Sequence, residues 1–439
     1  MIEKSEHPLS DAKIYLTKYR VEQLVFMLGE TNLSMDHTNI ISVEYCADYD
    51  FNIRAILKIS LRIDGRQKLW LLRNKRNITC KFQFVKFGMD AEVNESVTTS
   101  EYVWNQDFKI YFSDADEAID TNSMEQRLDI NEGSSYASTD INNENYYESQ
   151  NLLDVFLFDQ ELLNASNMIF NEIFTSNLLQ TCVGRLLTAT NHNKVLMSPF
   201  ENDEIYNELL VPAFPAWKSL IYLDQYYGFY KTGALIFYDV DMLYIINSNG
   251  QLTAKREGEW PETSIYVTTL DYSIPGNGMF RKEQPINYVS VSEMDCNPHN
   301  FSESKNEELG SEAKIVVADD INVNIAAANQ SVIDQRNESI MYSKKDDNKY
   351  LPYIVIARME ENKGQMYITS HNVDITAFTP NKIYNMIYDD TIKQENYGND
   401  KTYRLSYAYH LFQIESGEFM SSTHRIVLKQ RVSEESLED

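Results

Sequence analysis

The sequence predicts an α+β protein that is mostly β, with two β-rich segments flanking a middle that contains helices. Three observations carry this. Residues 78–86, ITCKFQFVK, put Ile78, Cys80, Phe82 and Phe84 on one face and Thr79, Lys81 and Gln83 on the other. That period of two marks an antiparallel strand buried on one side. The alternation returns late in the chain, in YLPYIVIARME, GQMYITSHN, YRLSYAYHLFQIES and STHRIVLKQR. Between these regions the apolar spacing turns helical, as at Leu178, Leu179, Val183, Leu186 and Leu187.

Taken in order, residues 12–30 form a short strand or helix ending at Gly29, and 51–63 alternate before running apolar. Residues 1–112 are therefore the first β-rich domain. Residues 113–150 hold ten Asp and Glu against Arg127 alone and few apolar residues, the composition of an exposed acidic linker. The middle domain spans 151–284. It opens on a buried strand at 152–158, and Asp159 caps a helix running through Phe174. Ser176 caps a second helix. Pro215 leads into a third, which Gly228 stops. Residues 234–250 read as a strand pair or one long strand closing in an Asn-Gly turn. The second β-rich domain spans 285–432, with a polar insertion at about 296–350, and 433–439 is an acidic tail. Within 403–411, Tyr403, Leu405, Tyr407, Tyr409 and Leu411 are expected on one face. Arg404, Ser406, Ala408 and His410 are expected on the other.

The 439 residues are 43% hydrophobic, enough for more than one core. The formal net charge is −27, which disfavours a nucleic-acid binder, because holding phosphate needs Lys and Arg. Cys46, Cys80, Cys182 and Cys296 lie far apart with no CxxC, so neither zinc nor a disulfide framework is expected. The start, MIEKSEHPLS, lacks the apolar core of a signal peptide, and no eighteen-residue apolar run suggests a membrane span. The seven histidines are scattered and read as surface or interface residues; no phosphate loop, GxSxG or HExxH occurs. IPGNGMF, 274–280, reads as a turn. RNKRN, 73–77, is the densest basic cluster; it reads as a solvated β-turn, or as a charged contact with an acidic neighbouring subunit.

The stretch LIYLDQYYGFYKTGALIFYDVDMLYIINSNG, 220–250, is rich in tyrosine and carries Asp239 and Asp241 two apart. On a strand these share a face. Paired carboxylates suit glycoside hydrolysis or a metal, but no supporting constellation accompanies them, so a structural role is expected.

The phrases LLDVFLFDQELLNASNMIFNEIF (from 152), KVLMSPFENDEIYNELLVPAFPAWKSLIYLDQYYGFYKTGALIFYDVDMLYIIN (from 194) and VDITAFTPNKIYNMIYDDTIKQENYGNDKTYRLSYAYHLF (from 373) resemble the baseplate hub proteins of contractile-tailed bacteriophages. The residues that carry this best are Leu223, Asp224, Tyr227, Gly228, Phe229, Tyr230, Gly233, Phe237, Tyr238 and Asp239. The resemblance implies two β-barrel-like tube domains around the helix-containing middle domain. It implies a homotrimer that adapts a sixfold tail tube to a threefold central spike. The implied partners are the tail tube protein, the spike protein and baseplate wedge proteins, and DNA passes through without specific binding. No catalysis, cofactor or membrane contact is implied. The implied location is the virion tail baseplate, after synthesis in the host cytoplasm. The alternatives are a virion-associated glycan hydrolase using Asp239 or Asp241, and an acidic binding module.

Overall fold

The computed structural model describes residues 15–50, 54–90, 100–112, 151–249, 262–267, 287–291, 293–295, 314–318, 339–343, 348–350, 353–354, 357, 361, 365–371, 373–380, 382–388 and 402–432. The acidic linker, most of the polar insertion, IPGNGMF and the acidic tail lie outside them, as do His7, His299 and Cys296.

The α+β, mostly β expectation holds, and its centre is a closed barrel of eight antiparallel strands. In chain order these are β1 (Tyr15–Leu28), β3 (Ile40–Asp48), β4 (Ile56–Ile63), β5 (Thr79–Asp90), β6 (Glu101–Phe112), β7 (Asn151–Asp159), β20 (Thr402–Ser416) and β21 (Phe419–Gln430). Around the wall they run β20-β3-β4-β7-β6-β5-β1-β21, and the β20–β21 pairing closes the ring. Closure leaves no unpaired strand among the eight of the barrel. β2 (Thr31–Ser34) is an outrigger on β1.

Alternation explains which side faces in. Leu57, Ile59, Leu61 and Ile63 of β4 are buried, while Ile56 and Arg62 are exposed. Cys80, Phe82 and Phe84 of β5 are fully buried, as their spacing required. The lumen is filled with side chains, as eight strands allow. Phe84 lies 5.4 Å from Tyr19, 5.3 Å from Trp104 and 4.9 Å from Phe412, ring centre to ring centre.

The β20–β21 hairpin also carries strands beyond the barrel. β19 (Ile383–Tyr388) pairs with the start of β20, followed by β13 (Glu262–Val267) and β14 (Asn287–Val291). β18 (Gln365–His371) pairs with β21, followed by β15 (Glu293–Asp295). The hairpin is therefore common to the barrel and to a second set of strands. β7, at the head of the expected middle segment, is a barrel strand between β4 and β6.

A β-bulge at Ser406 lies where β20 passes from one set to the other. It corrects the expected faces of 403–411. Beyond the bulge Ala408, His410 and Phe412 point into the core, and Tyr407, Tyr409 and Leu411 are half-buried on the outer side. One extra residue inverts every later side chain.

Three helices of the middle build a separate core. They are α2 (Gln160–Asn167), α3 (Leu179–Ala189) and α4 (Ala216–Tyr227). Asp159 caps α2 as expected, accepting from Leu162 N at 2.8 Å. The helix stops at Asn167 rather than running to Phe174. Ile169–Leu178 is instead β8, paired with β10 (Ile205–Pro215). Phe170 and Phe174 of β8 are buried while Ile169 and Ile173 are exposed, so period two wins over the helical reading. Ser176 lies within β8 with φ +54° and caps nothing; α3 starts after Leu178 without a side-chain cap. α4 begins after Pro215 and ends at Gly228, both as expected.

A further helix, α1 (Gly65–Asn74), replaces half of the basic turn read at RNKRN. Asp64 and Gln67 form its capping box, with Asp64 Oδ1 accepting from Gln67 N at 2.8 Å. Such a cap contributes about 1 kcal/mol.

Candidate functional site

The motif residues meet where the middle packs on the barrel. β11 (Ala234–Tyr238) and β12 (Leu243–Asn247) form the hairpin at this seam, with the short β9 (Val195–Met197) parallel to β12. The hairpin is buried on both sides. Leu235, Phe237, Tyr244 and Ile246 join the barrel core, and Tyr238, Leu243 and Ile245 join the helical core. This is why the stretch is apolar at nearly every position.

α4 and the turn after it brace the hairpin. Leu223 and Tyr227 bury the inner face of the helix. Asp224 Oδ1 accepts from Phe229 N at 3.0 Å, and Gly228 N donates to Asp224 O at 2.8 Å. Gly228 sits at φ +72°, a region L-residues disfavour. A Cβ there would also stand 2.3 Å from Asn348 Oδ1. Asn348 Nδ2 donates to Asp224 O and Gln225 O, each at 3.1 Å, so the end of the polar insertion is tied to the end of α4. Phe229 stacks on Phe200 at 4.3 Å. The Tyr230 hydroxyl lies 2.8 Å from Ser198 O and 3.1 Å from Ile245 O. Gly233, at φ +95°, turns the chain into β11, and its carbonyl accepts from Ser248 N at 2.8 Å.

Tyr238 O accepts from Ala55 N at 2.6 Å, joining the hairpin to the barrel wall. Its hydroxyl meets His192 Nε2 at 3.0 Å. Asp239 and Asp241 do not share a strand face. They lie in the tight turn between β11 and β12, where Asp239 N donates to Met242 O at 2.7 Å. Asp239 Oδ1 accepts from Tyr45 Oη at 2.8 Å and from Val240 N at 2.7 Å. Burial, reinforced by the Asp241 charge, raises the Asp239 carboxyl to about 6. A cavity of about 10 Å³ beside it, lined by Arg54, Asp159, Tyr238 and Asp239 among others, has room for one water. Ser248 and Asn249 form a turn as expected, Gly250 lying outside the described residues, and Asn249 is also a clasp: its Nδ2 donates to Val432 O at 2.6 Å, and Val432 N donates to its Oδ1 at 2.8 Å.

Two buried polar groups escaped the sequence reading. Arg404, 1% exposed, donates to Glu361 through Nε and Nη2 at 3.0 and 2.6 Å, and Nη2 also reaches Asp50 at 2.9 Å. Lys429 Nζ lies 2.8 Å from Asp50, and Ser406 Oγ donates to Asp50 at 2.5 Å. This cluster locks the bulge of β20 to the chain after β3. The second group is a histidine pair. His410 and His424 are fully buried with their Nδ1 atoms 2.7 Å apart, so one donates and the other accepts. His192, His410 and His424 are buried, core residues rather than the surface residues expected, and burial lowers His410 to about 3 and His192 to about 4. Among the described residues no group of three or more His, Cys, Asp and Glu is arranged to hold a metal ion. Among the same residues no helix is long and apolar enough to cross a membrane.

The architecture is a packed β-barrel with a helical middle seated on its wall. A family model described as Bacteriophage PBS1 gene 109 protein matches residues 11–431, and the chain belongs to that family. Similar solved folds include the tail protein from Neisseria meningitidis MC58, at 10% identity, covering 94% of this chain and 96% of that one, TM-score 0.42. The 43 kDa tail protein of prophage MuSo2 from Shewanella oneidensis is 9% identical, covering 95% and 98%, TM-score 0.45. The E. coli c3393 protein is described as a type VI secretion component with structural similarity to the T4 tail proteins gp27 and gp5. It is 8% identical, covering 97% and 75%, TM-score 0.38. No curated protein sequence matches. The bacteriophage protein read from the sequence agrees with this family.

Proposed function

We propose that this chain is a structural protein of the phage tail: a trimeric baseplate hub that adapts a sixfold tube to a threefold central spike. The observation that carries this reading is the shared hairpin. One chain offers a closed barrel and a second strand set on the same two strands, β20 and β21. Three copies around an axis would therefore present six β units to a sixfold tube, and closed cyclic symmetry is the usual form of a homo-oligomer. The barrel lumen is packed with side chains, so DNA would pass between copies and not through one of them. A net charge of −27 suits that passage, because few cations would hold the phosphates. Tube, spike and wedge proteins would be its partners in the virion.

The chain needs no catalysis for this role. Asp239 is occupied by Tyr45 and Val240, and the space beside it has room for one water but not for a sugar ring. Light scattering and electron microscopy of the protein with its tail partners test the reading. A threefold particle of three copies is expected; a stable sixfold ring of this chain would overturn it.

A further inference from the structure

Among the described residues, the middle leaves an apolar surface facing solvent. β8 and β10 form a two-stranded ribbon whose inner face, Phe170, Phe174, Leu209 and Val211, is buried on the helices. Its outer face carries Ile169 at 73%, Ile173 at 62% and Leu210 at 47% exposure, with Ile173 and Leu210 directly paired. At its end Leu178 and Ile205 pair with each other, 40% and 69% exposed. A concentration of large aliphatic side chains on one exposed sheet face marks an interaction site. Acidic residues border it: Glu208 on the same face and Asp203 just before Ile205, both exposed, whereas Glu204 between them is paired with Lys349 at 2.9 Å.

The opposite chemistry lies on the barrel. Arg66, Arg73 and Arg76, on α1 and just past its end, are exposed, and Lys109 Nζ donates to Arg76 O beside them. This is the basic cluster singled out in the sequence, set in a chain of net charge −27. An apolar side chain accompanies it. Leu152 is 65% exposed, and its carbonyl accepts from Lys68 of α1 at 3.1 Å. One chain thus carries an apolar face with an acidic border and, elsewhere, a basic surface with an apolar side chain at its side.

We propose that the outer face of the β8–β10 ribbon docks on the α1 end of the barrel in a second copy of this chain. The contact is heterologous, one surface against a different surface, and such contacts close into rings when the rotation permits. Charge complementarity selects the partner: a second copy brings the basic surface, whereas like surfaces would set acid against acid. The inference rests on the trimeric reading and names the face that would hold the ring together.

Sedimentation velocity of the full chain, over a range of concentration and salt, tests it. Ile173→Asp should weaken self-association about thirtyfold, the effect of losing one central anchor, while leaving the circular dichroism melt unchanged. Glu208→Lys and Arg76→Glu should each weaken association several-fold at low salt, and combining both changes in one chain should restore it. Self-association that ignores Ile173→Asp, or a charge-swapped double variant that does not recover, would overturn the proposed face while leaving the trimer intact. A chain that stays monomeric at about 100 μM, where even a weak specific contact would register, would also overturn it. Particle symmetry in the presence of tail partners tests the hub reading separately.

Discussion

Replacing Arg404 by Met should destabilise the fold more than any other loss of a single charge among the described residues. The guanidinium is 1% exposed and bonded to two carboxylates, Glu361 at 2.6 and 3.0 Å and Asp50 at 2.9 Å. Methionine fills much of the same volume, so the loss is mainly electrostatic. Removing one partner of a buried ion pair costs about 3–5 kcal/mol, because the other charge stays buried and uncompensated. Asp50 keeps Lys429 at 2.8 Å, which places the expected loss near the lower end, about 3 kcal/mol. Arg20→Met is the control. Its ion pairs with Glu22 and Glu418, at 3.3 and 3.4 Å, lie at the surface, and their loss should cost under about 1 kcal/mol. Urea unfolding followed by circular dichroism and Trp fluorescence measures both. The same cluster sets an acid limit. Burial alone would raise the Asp50 carboxyl, but Arg404 and Lys429 outweigh it and hold it well below the usual carboxylate range. A depressed carboxyl contributes stability above its unfolded value, about 4, that is lost as the pH falls below it. Arg404→Met should flatten that acid loss. Equal, small losses for Arg404→Met and Arg20→Met would refute this account of the cluster.

Ser406→Asp should cost roughly 2 kcal/mol or more, because it sets a second carboxylate against Asp50 in a buried site; a neutral result in the same urea titration would mean the bulge relaxes freely. Gly228→Ala should cost about 1–2 kcal/mol from the left-handed backbone alone, plus the displacement of Asn348. Faster proteolysis near residue 348 would report that the tie to α4 has loosened. Asp239→Asn should be neutral or stabilising at pH 8. The raised carboxyl, at about 6, contributes stability that is full below the unfolded value near 4 and lost as the pH rises through 6. The variant should lack that decline in a pH series of melting curves, and peptidoglycan turnover should not differ between variant and wild type.

Much of the fold was legible because its strands are buried on one side and alternate. β5 reads directly from Ile78, Cys80, Phe82 and Phe84. The end signals of α4, Pro215 and Gly228, were legible for a similar local reason. The complete ring was not, because it needs Tyr19 of β1 beside Met420 of β21, and no local pattern encodes a pairing of such sequence separation. The bulge at Ser406 inserted one residue into a clean alternation, so the faces beyond it were misread. Arg404 lies ahead of the bulge and is buried with its partners Glu361 and Asp50, a pairing that no alternation encodes. β8 was read as helix because Leu162, Ile169 and Phe170 mix both spacings, and only the partner strand β10 decides between them. At the seam, the carboxylates of Asp239 and Asp241 looked like a strand pair, because Val240 sits between them as it would in a strand. The tight turn that separates β11 from β12 leaves no glycine there to mark it.

The central claim is that three copies of this chain join a sixfold tube to a threefold spike around a DNA passage. Cryo-electron microscopy of the assembled tail, reconstructed at the tip without imposed sixfold symmetry, tests it most directly. The account predicts three copies, six β units in the ring, and a passage between copies whose wall carries few Lys or Arg from this chain. Six copies around the axis, or a passage lined by its basic residues, would contradict it.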